Sequence, residues 1–197
     1  MPQFPQLVKS GNVAYEGFTG SGLDFAKLAM KRAVAGSELA TTGIYKFDSK
    51  VSMDRIREWF GLSPASNPSH AQLLMGLSEK IKACNTAIRS NPITLVNRPD
   101  IMMNHVPIGQ QVYGYVWGHV AGSGYRIVLG KWFTADPDQY EAAQTIYHEL
   151  THKVSKTKDH CYGVTLCRQL AVSDPRKAVE NADNLGYFMK SYLCTIR

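Results

Sequence analysis

Residues 148–152 read His148-Glu149-Leu150-Thr151-His152, a spacing suited to holding a metal ion. On a helix, with about 100° between successive residues, positions four apart lie one turn along and about 40° around the axis, so both imidazoles reach one point. Neutral imidazole suits Zn2+, and a catalytic zinc takes three protein ligands and leaves a fourth place for water. Glu149 adjoins the first histidine but points elsewhere. It is placed to take a proton from that water, whose pKa zinc lowers to about 7, and to return it to a leaving amine. The chemistry implied is amide hydrolysis, with Glu149 as general base and acid.

The third ligand is not contiguous with the pair. One extended form of the pattern needs a glycine three and a histidine six residues beyond His152, where this chain has Ser155 and Lys158. Glu180 on a later helix is a candidate, although Asn184 stands where an aspartate accompanies such a glutamate. His160 is another candidate. The plain alternative is a helix with two surface histidines and an incidental glutamate. His70, His105 and His119 have no partner at ligand spacing and read as structural.

The elements that must carry these residues follow from periodicity. Asp136-Pro137-Asp138-Gln139 supplies an N-cap, a proline at the first helical position and a glutamine three residues after the cap, so a helix is expected from Asp136. Ala143, Ile146, Tyr147, Leu150 and Val154 share its far side and can anchor it, leaving the histidine side for a cleft. Helical spacing also covers Leu23 to Val34, Ser52 to Phe60 and Ala71 to Ile88, so residues 1–91 read as mainly helical. Gly61 to Pro68 is a turn-rich connector. From Pro92 the character changes: Ile93 to Val96 reads as a strand, and Val112 to His119 and Tyr125 to Phe133 as a hairpin around Ala121-Gly122-Ser123-Gly124. Tyr125, Ile127 and Leu129 fall on one face of its second strand. A short helix follows near Val164 to Ala171, and a last one begins at Pro175, capped by Ser173 or Asp174. The class is α+β, in one domain spanning residues 1–197.

Beyond the histidines, Thr157-Lys158-Asp159-His160-Cys161-Tyr162-Gly163 and Asn181-Ala182-Asp183-Asn184-Leu185-Gly186-Tyr187-Phe188 resemble the deuterolysin and peptidyl-Lys metalloendopeptidase family, the aspzincins. That family pairs HExxH with a G-T-x-D-x-x-Y-G segment and an N-A-D-N-x-x-Y-F stretch; here Lys156 replaces the leading glycine. The resemblance covers roughly residues 110–190. It implies a zincin-like fold with a helical N-terminal lobe, a small twisted β-sheet, the active-site helix and a C-terminal helical lobe. It implies Asp159 as third zinc ligand and Tyr162 as hydrogen-bond donor to the developing oxyanion, roles that suit a carboxylate oxygen and a phenol. In lysine-specific members an acidic pair in the N-A-D-N stretch receives the substrate's ammonium. This chain keeps Asp183 but has Gly186 in the second place, so Asp183 is a candidate for substrate binding, for orienting a zinc ligand or for capping a helix. An extended substrate would add to a strand edge, with the Val112 to Phe133 hairpin as the candidate and Trp117 and Trp132 as pocket walls or core.

Composition sets outer bounds. A 44% hydrophobic and 19% charged chain is ordinary for a globular protein, and no apolar run is long enough for a membrane span. The net charge of +6 is spread thinly, which argues against nucleic acid as partner. The first 20 residues do not read as a signal peptide. Cytoplasmic location and a mature or excised domain both stay open, while the resemblance favours secretion or delivery outside the producing cell. Cys84, Cys161, Cys167 and Cys194 allow two disulfides in three connectivities, or none. The expected activity is a zinc metalloendopeptidase acting on protein or peptide substrates. The alternatives are a zinc amidase or toxin domain acting on cell-wall peptides, which would bring an inhibitor or immunity protein as partner, and a non-catalytic, metal-stabilised binding module.

Overall fold

A computed structural model describes residues 7–46, 49–63, 67–99, 102–103, 106–107, 114–116, 124–131, 133 and 138–194. Five strands form one mixed sheet in the order β1 (Leu7–Ser10), β2 (Val13–Glu16), β3 (Ile93–Asn97), β7 (Tyr125–Leu129), β6 (Gly114–Val116). The outer pairs β1/β2 and β7/β6 are antiparallel, and the central pairs β2/β3 and β3/β7 are parallel. Two short strands, β4 (Met102–Met103) and β5 (Val106–Pro107), pair separately. The helices among the described residues are α1 (Gly20–Tyr45), α2 (Lys50–Phe60), α3 (Ser69–Ser90), α4 (Gln139–Ser155), α5 (Val164–Ser173), α6 (Pro175–Glu180) and α7 (Ala182–Leu193).

The N-terminal part is less uniformly helical than periodicity suggests. β1 and β2 form a hairpin through Gly11, at φ 59°, and β2 joins the sheet beside β3. Only Val13 and Tyr15 of β2 are buried, an alternation of two residues that is too short to stand out against noise. In contrast, α1 runs far past Val34. Gly36 and Gly43 do not break it, because α7 packs there: a Cβ at Gly36 would strike Met189 and Leu193, and one at Gly43 would strike Tyr192. β7 ends at Leu129, short of Phe133, with Ile127 and Leu129 in the core and β6 antiparallel beside it.

Two helix boundaries differ from expectation. α4 is capped by Asp138 rather than Asp136: the Asp138 Oδ1 accepts from the Tyr140 N–H at 2.7 Å and the Glu141 N–H at 3.4 Å. The helix expected from Pro175 is capped by Asp174, but it is split at Asn181, whose backbone is extended (φ −87°, ψ 124°). There the chain forms a parallel bridge with Lys158: the Lys158 N–H donates to the Glu180 carbonyl at 2.8 Å, and the Ala182 N–H to the Lys158 carbonyl at 2.9 Å. Two backbone hydrogen bonds to a distant loop replace helical ones at that point.

α4 packs against α1, α3 and α7, with β6 across it. Ala143, Ile146, Tyr147 and Leu150 are fully buried and Val154 partly so. Each large apolar side chain buried in this way stabilises the helix's placement by about 1.5–3 kcal/mol. α4 ends at Lys156, which holds φ 55° and ψ 35° and sends its N–H back to the Thr151 carbonyl. It is the one non-glycine residue at positive φ among the described residues, in the place where the resembled family carries glycine. A left-handed conformation costs an L-residue on the order of 1 kcal/mol, partly offset by its lower unfolded-state entropy. Lys156→Gly is therefore expected to stabilise the fold by about 0.5–1 kcal/mol and raise Tm by roughly 1–4 °C in thermal unfolding; a fall in Tm would show that Lys156 is held by contacts that outweigh its backbone strain.

Candidate metal centre

α4 carries His148 and His152 one turn apart, and the loop after it brings Asp159 onto them. His148 Nε2 and His152 Nε2 are 3.1 Å apart, and Asp159 Oδ1 is 3.3 Å from the first and 3.2 Å from the second. Four ligands around zinc at about 2.0–2.1 Å stand roughly 3.3 Å from one another, so this triangle has the size of one face of a zinc tetrahedron. Among the described residues, these three are the group of His, Cys, Asp or Glu side chains whose ligand atoms converge.

Each imidazole is oriented from behind. His152 Nδ1 lies 2.9 Å from the Thr157 carbonyl, which can only accept, so Nδ1 carries the proton and Nε2 presents its lone pair. His148 Nδ1 lies 2.6 Å from Asp183 Oδ1 and by the same logic donates to it. Two nitrogen lone pairs and a carboxylate facing one point are a donor set for a cation. Burial alone would lower the His148 pKa, but hydrogen bonds to Asp159 and Asp183 outweigh it and push the value up to about 10. For His152, burial is likewise outweighed by Asp159 and the Thr157 carbonyl. Asp159 is drawn the other way: despite desolvation, the two histidines hold its carboxyl well below the usual carboxylate range. A metal would compete with the proton these groups share, so its binding is coupled to proton release.

Glu149 is buried, with Oε1 3.9 Å from His148 Nε2. Burial pushes its pKa up to about 7 against the pull of the two histidines. β6 crosses α4 at this residue: a side chain at Gly114 would stand 3.1 Å from Thr145 Cγ2 and 3.3 Å from Glu149 Cγ, tighter than ordinary packing. Tyr162 stacks on His148 with centroids 6.2 Å apart and planes inclined by 20°. Its ring is exposed while its hydroxyl bonds Asp159; burial first, then the Asp159 charge and hydrogen bond, raise its pKa.

Asp183 is buried at the start of α7 and turned away from solvent. Oδ1 accepts from His148 Nδ1 and from Gln144 Nε2 at 3.0 Å, and Oδ2 from the Gly163 N–H at 2.7 Å. Gly186 faces Gln144, and a Cβ there would come 2.7 Å from Gln144 Nε2. The rival ligands lie elsewhere. His160 sits 3.9 Å from Glu180 Oε2, and the exposed Glu180 also pairs with Lys158 at 3.5 Å. His70 Nδ1 accepts from the Ser63 N–H at 3.0 Å. His105, His119, Trp117, Trp132 and Asp136 lie outside the described residues.

Several supporting residues escaped the spacing. Asn181 is fully buried; its Oδ1 accepts from the N–H groups of His160 (2.8 Å) and Cys161 (3.3 Å), and its Nδ2 donates to the Cys161 carbonyl (3.2 Å) and Asn184 Oδ1 (2.7 Å). Together with the Lys158 bridge, it grips the chain on both sides of Asp159. The Thr151 hydroxyl donates to the His148 carbonyl at 2.7 Å, which leaves its oxygen to accept from Thr157 Oγ1, also at 2.7 Å. Asn181 and Thr157 could have been flagged by their places in the quoted N-A-D-N and G-T-x-D stretches; Gln144 and Gly114 carry no sequence signal of their own.

The family model described as lysine-specific metallo-endopeptidase, the aspzincin family, matches residues 45–190. An extracellular protease of Aeromonas hydrophila is 31% identical over 191 residues, which are 95% of this chain and 49% of that protein. A peptidyl-Lys metalloendopeptidase of Armillaria mellea is 25% identical over 183 residues, 91% of this chain and 46% of that protein. The chain thus spans about half the length of these curated relatives. Among solved structures, a zinc peptidase from Grifola frondosa shares the fold, with a TM-score of 0.59 at 22% identity, covering 88% of this chain and 97% of that one. The family match extends over most of the chain and takes in the helix and loop that hold His148, His152 and Asp159: the chain belongs to the aspzincin family of zinc metallopeptidases.

Proposed function

We propose that this chain is a zinc-dependent endopeptidase that hydrolyses peptide bonds in protein or peptide substrates, with zinc held by His148, His152 and Asp159. The observation that carries the reading is the triangle of Nε2, Nε2 and Oδ1 atoms, 3.1–3.3 Å on a side, with both histidines occupied at Nδ1. Zinc in that place would polarise the scissile carbonyl and lower the pKa of a water to about 7. Glu149, buried beside the triangle, takes the proton from the attacking water and passes it to the leaving amine. Its burial favours proton uptake, which suits a group that must both accept and donate. Tyr162, on the exposed side of His148, donates its phenol to the carbonyl oxygen as negative charge develops there.

β6 supplies the place for an extended substrate. It ends the sheet order and crosses α4 beside Glu149. A substrate backbone added along that edge would bring its carbonyl near the catalytic groups. The extracellular protease among the relatives supports a site of action outside the producing cell.

Asp183 serves in this reading as the orienter of His148, since its oxygens are taken by His148, Gln144 and the Gly163 N–H. At Gly186, where the resembled lysine-specific members carry the second acid, the space is met by the neutral amide of Gln144. With Asp183 engaged and no acid at position 186, this reading does not confine cleavage to lysine.

Glu149→Gln is expected to lower kcat/KM on casein by at least about 10³-fold while metal analysis still finds zinc bound; more than a tenth of wild-type activity would remove Glu149 from the proton transfers. Asp183→Asn weakens the hold on His148 and should lower zinc affinity by about 10–100-fold in chelator competition, whereas unchanged affinity would exclude it as the orienter. Mass-spectrometric mapping of cleavage sites in unfolded casein should find them spread over several residue types, and strict cleavage at lysine would show that an acid of this chain still receives the ammonium.

A further inference from the structure

We propose that Cys161 and Cys167 form a disulfide that staples the loop carrying Asp159 and Tyr162 to α5. Their sulfurs are 3.7 Å apart, in contact but not bonded. A disulfide needs about 2.05 Å, and rotation about χ1 of the half-buried Cys161 moves its sulfur over more than that difference. The Asn181 amide lies 3.5 Å from one sulfur and 3.6 Å from the other, so one buried group holds both in the same place. The remaining cysteines are differently engaged: Cys84 Sγ is 3.2 Å from Ser155 Oγ in the core, and Cys194 is exposed at the end of α7. The pair is not explained by a second metal, because the converging ligand group among the described residues is His148, His152 and Asp159.

The bond forms by exchange with a small-molecule disulfide such as oxidised glutathione. The Cys161 thiolate attacks one glutathione sulfur, forming a mixed disulfide and expelling one glutathione thiolate. The Cys167 thiolate then attacks the Cys161 sulfur and expels the second. Two protein thiols lose two protons and two electrons, and one glutathione disulfide becomes two thiols. The short ring so closed contains Tyr162, Gly163 and the first turn of α5, and begins two residues after Asp159. It limits the freedom of the loop in the unfolded and metal-free chain, and thereby favours the folded, metal-holding form. Oxidising surroundings, such as those outside a cell, favour this bonded state.

Trypsin releases both cysteines in one peptide, Asp159–Arg168. After incubation of the zinc-loaded chain with oxidised glutathione, denaturation and alkylation, that peptide should be about 2 Da lighter than its dithiol form and carry no alkyl group. After reduction it should carry two. The oxidised protein should unfold roughly 5–8 °C higher than the reduced protein and lose zinc to a chelator at least about threefold more slowly; Cys161→Ser and Cys167→Ser should abolish both differences. A fully alkylated peptide in the oxidised sample, or linkage to Cys84 or Cys194, overturns the proposal. A formed bond with unchanged Tm overturns its stapling role. The slower loss of zinc rests on Asp159 being a ligand, as proposed above, but the mass and Tm measurements do not, so failure of that reading would appear in zinc release alone.

Discussion

Two imidazole nitrogens with lone pairs and a carboxylate oxygen repel one another when brought within 3.3 Å, yet this chain holds them so from two separate segments. Such a cluster persists only if protons or a cation occupy its centre and the surroundings fix each group. Here the surroundings do so by occupying the far side of each of the three groups. Asp183 and the Thr157 carbonyl fix the rings, and the backbone on either side of Asp159 is tied to residues 180–182. The near sides are left to converge.

The short stretch at the α6/α7 junction therefore governs both halves of the centre. Its backbone pairs with Lys158, Asn181 holds His160 and Cys161, and Asp183 two residues later holds His148 and the Gly163 N–H. Asn184 extends the tie inward, donating to the carbonyls of Trp59 (2.5 Å) and Cys167 (3.0 Å). The loop carrying Asp159, α4, α2 and α5 thus meet on four consecutive residues, all of them buried. Breaking a helix at Asn181 sacrifices regular hydrogen bonds, and the bridge to Lys158 replaces them.

What could be read from the residue order divides along physical lines. The histidine pair, its glutamate and the helix beneath them depend on local periodicity, which sequence expresses directly. That Asp159, rather than His160 or Glu180, stands beside the two histidines depends on how the chain turns at Lys156, a left-handed residue that spacing does not reveal; there the family resemblance pointed to a position on which periodicity is silent. The split at Asn181 was hidden because Ala182 to Phe188 is sound helix and the interruption comes from a partner 23 residues earlier. β1 and β2 were hidden for another reason: the place of their hairpin, with β2 beside β3, is settled across some 80 residues, while each strand offers only four residues of pattern.

The convergence of α4 and the loop carrying Asp159 on the α6/α7 junction bears on how such a centre could be moved to another protein. Copying the five-residue histidine pattern and the aspartate loop into a new scaffold would transfer the three converging side chains and leave behind the asparagine and aspartate that aim them. The smallest portable unit runs from Asp138 to the first turn of α7, about 50 contiguous residues including the two helices between. Because that unit is continuous, its transfer requires one cut at each end rather than the assembly of scattered fragments.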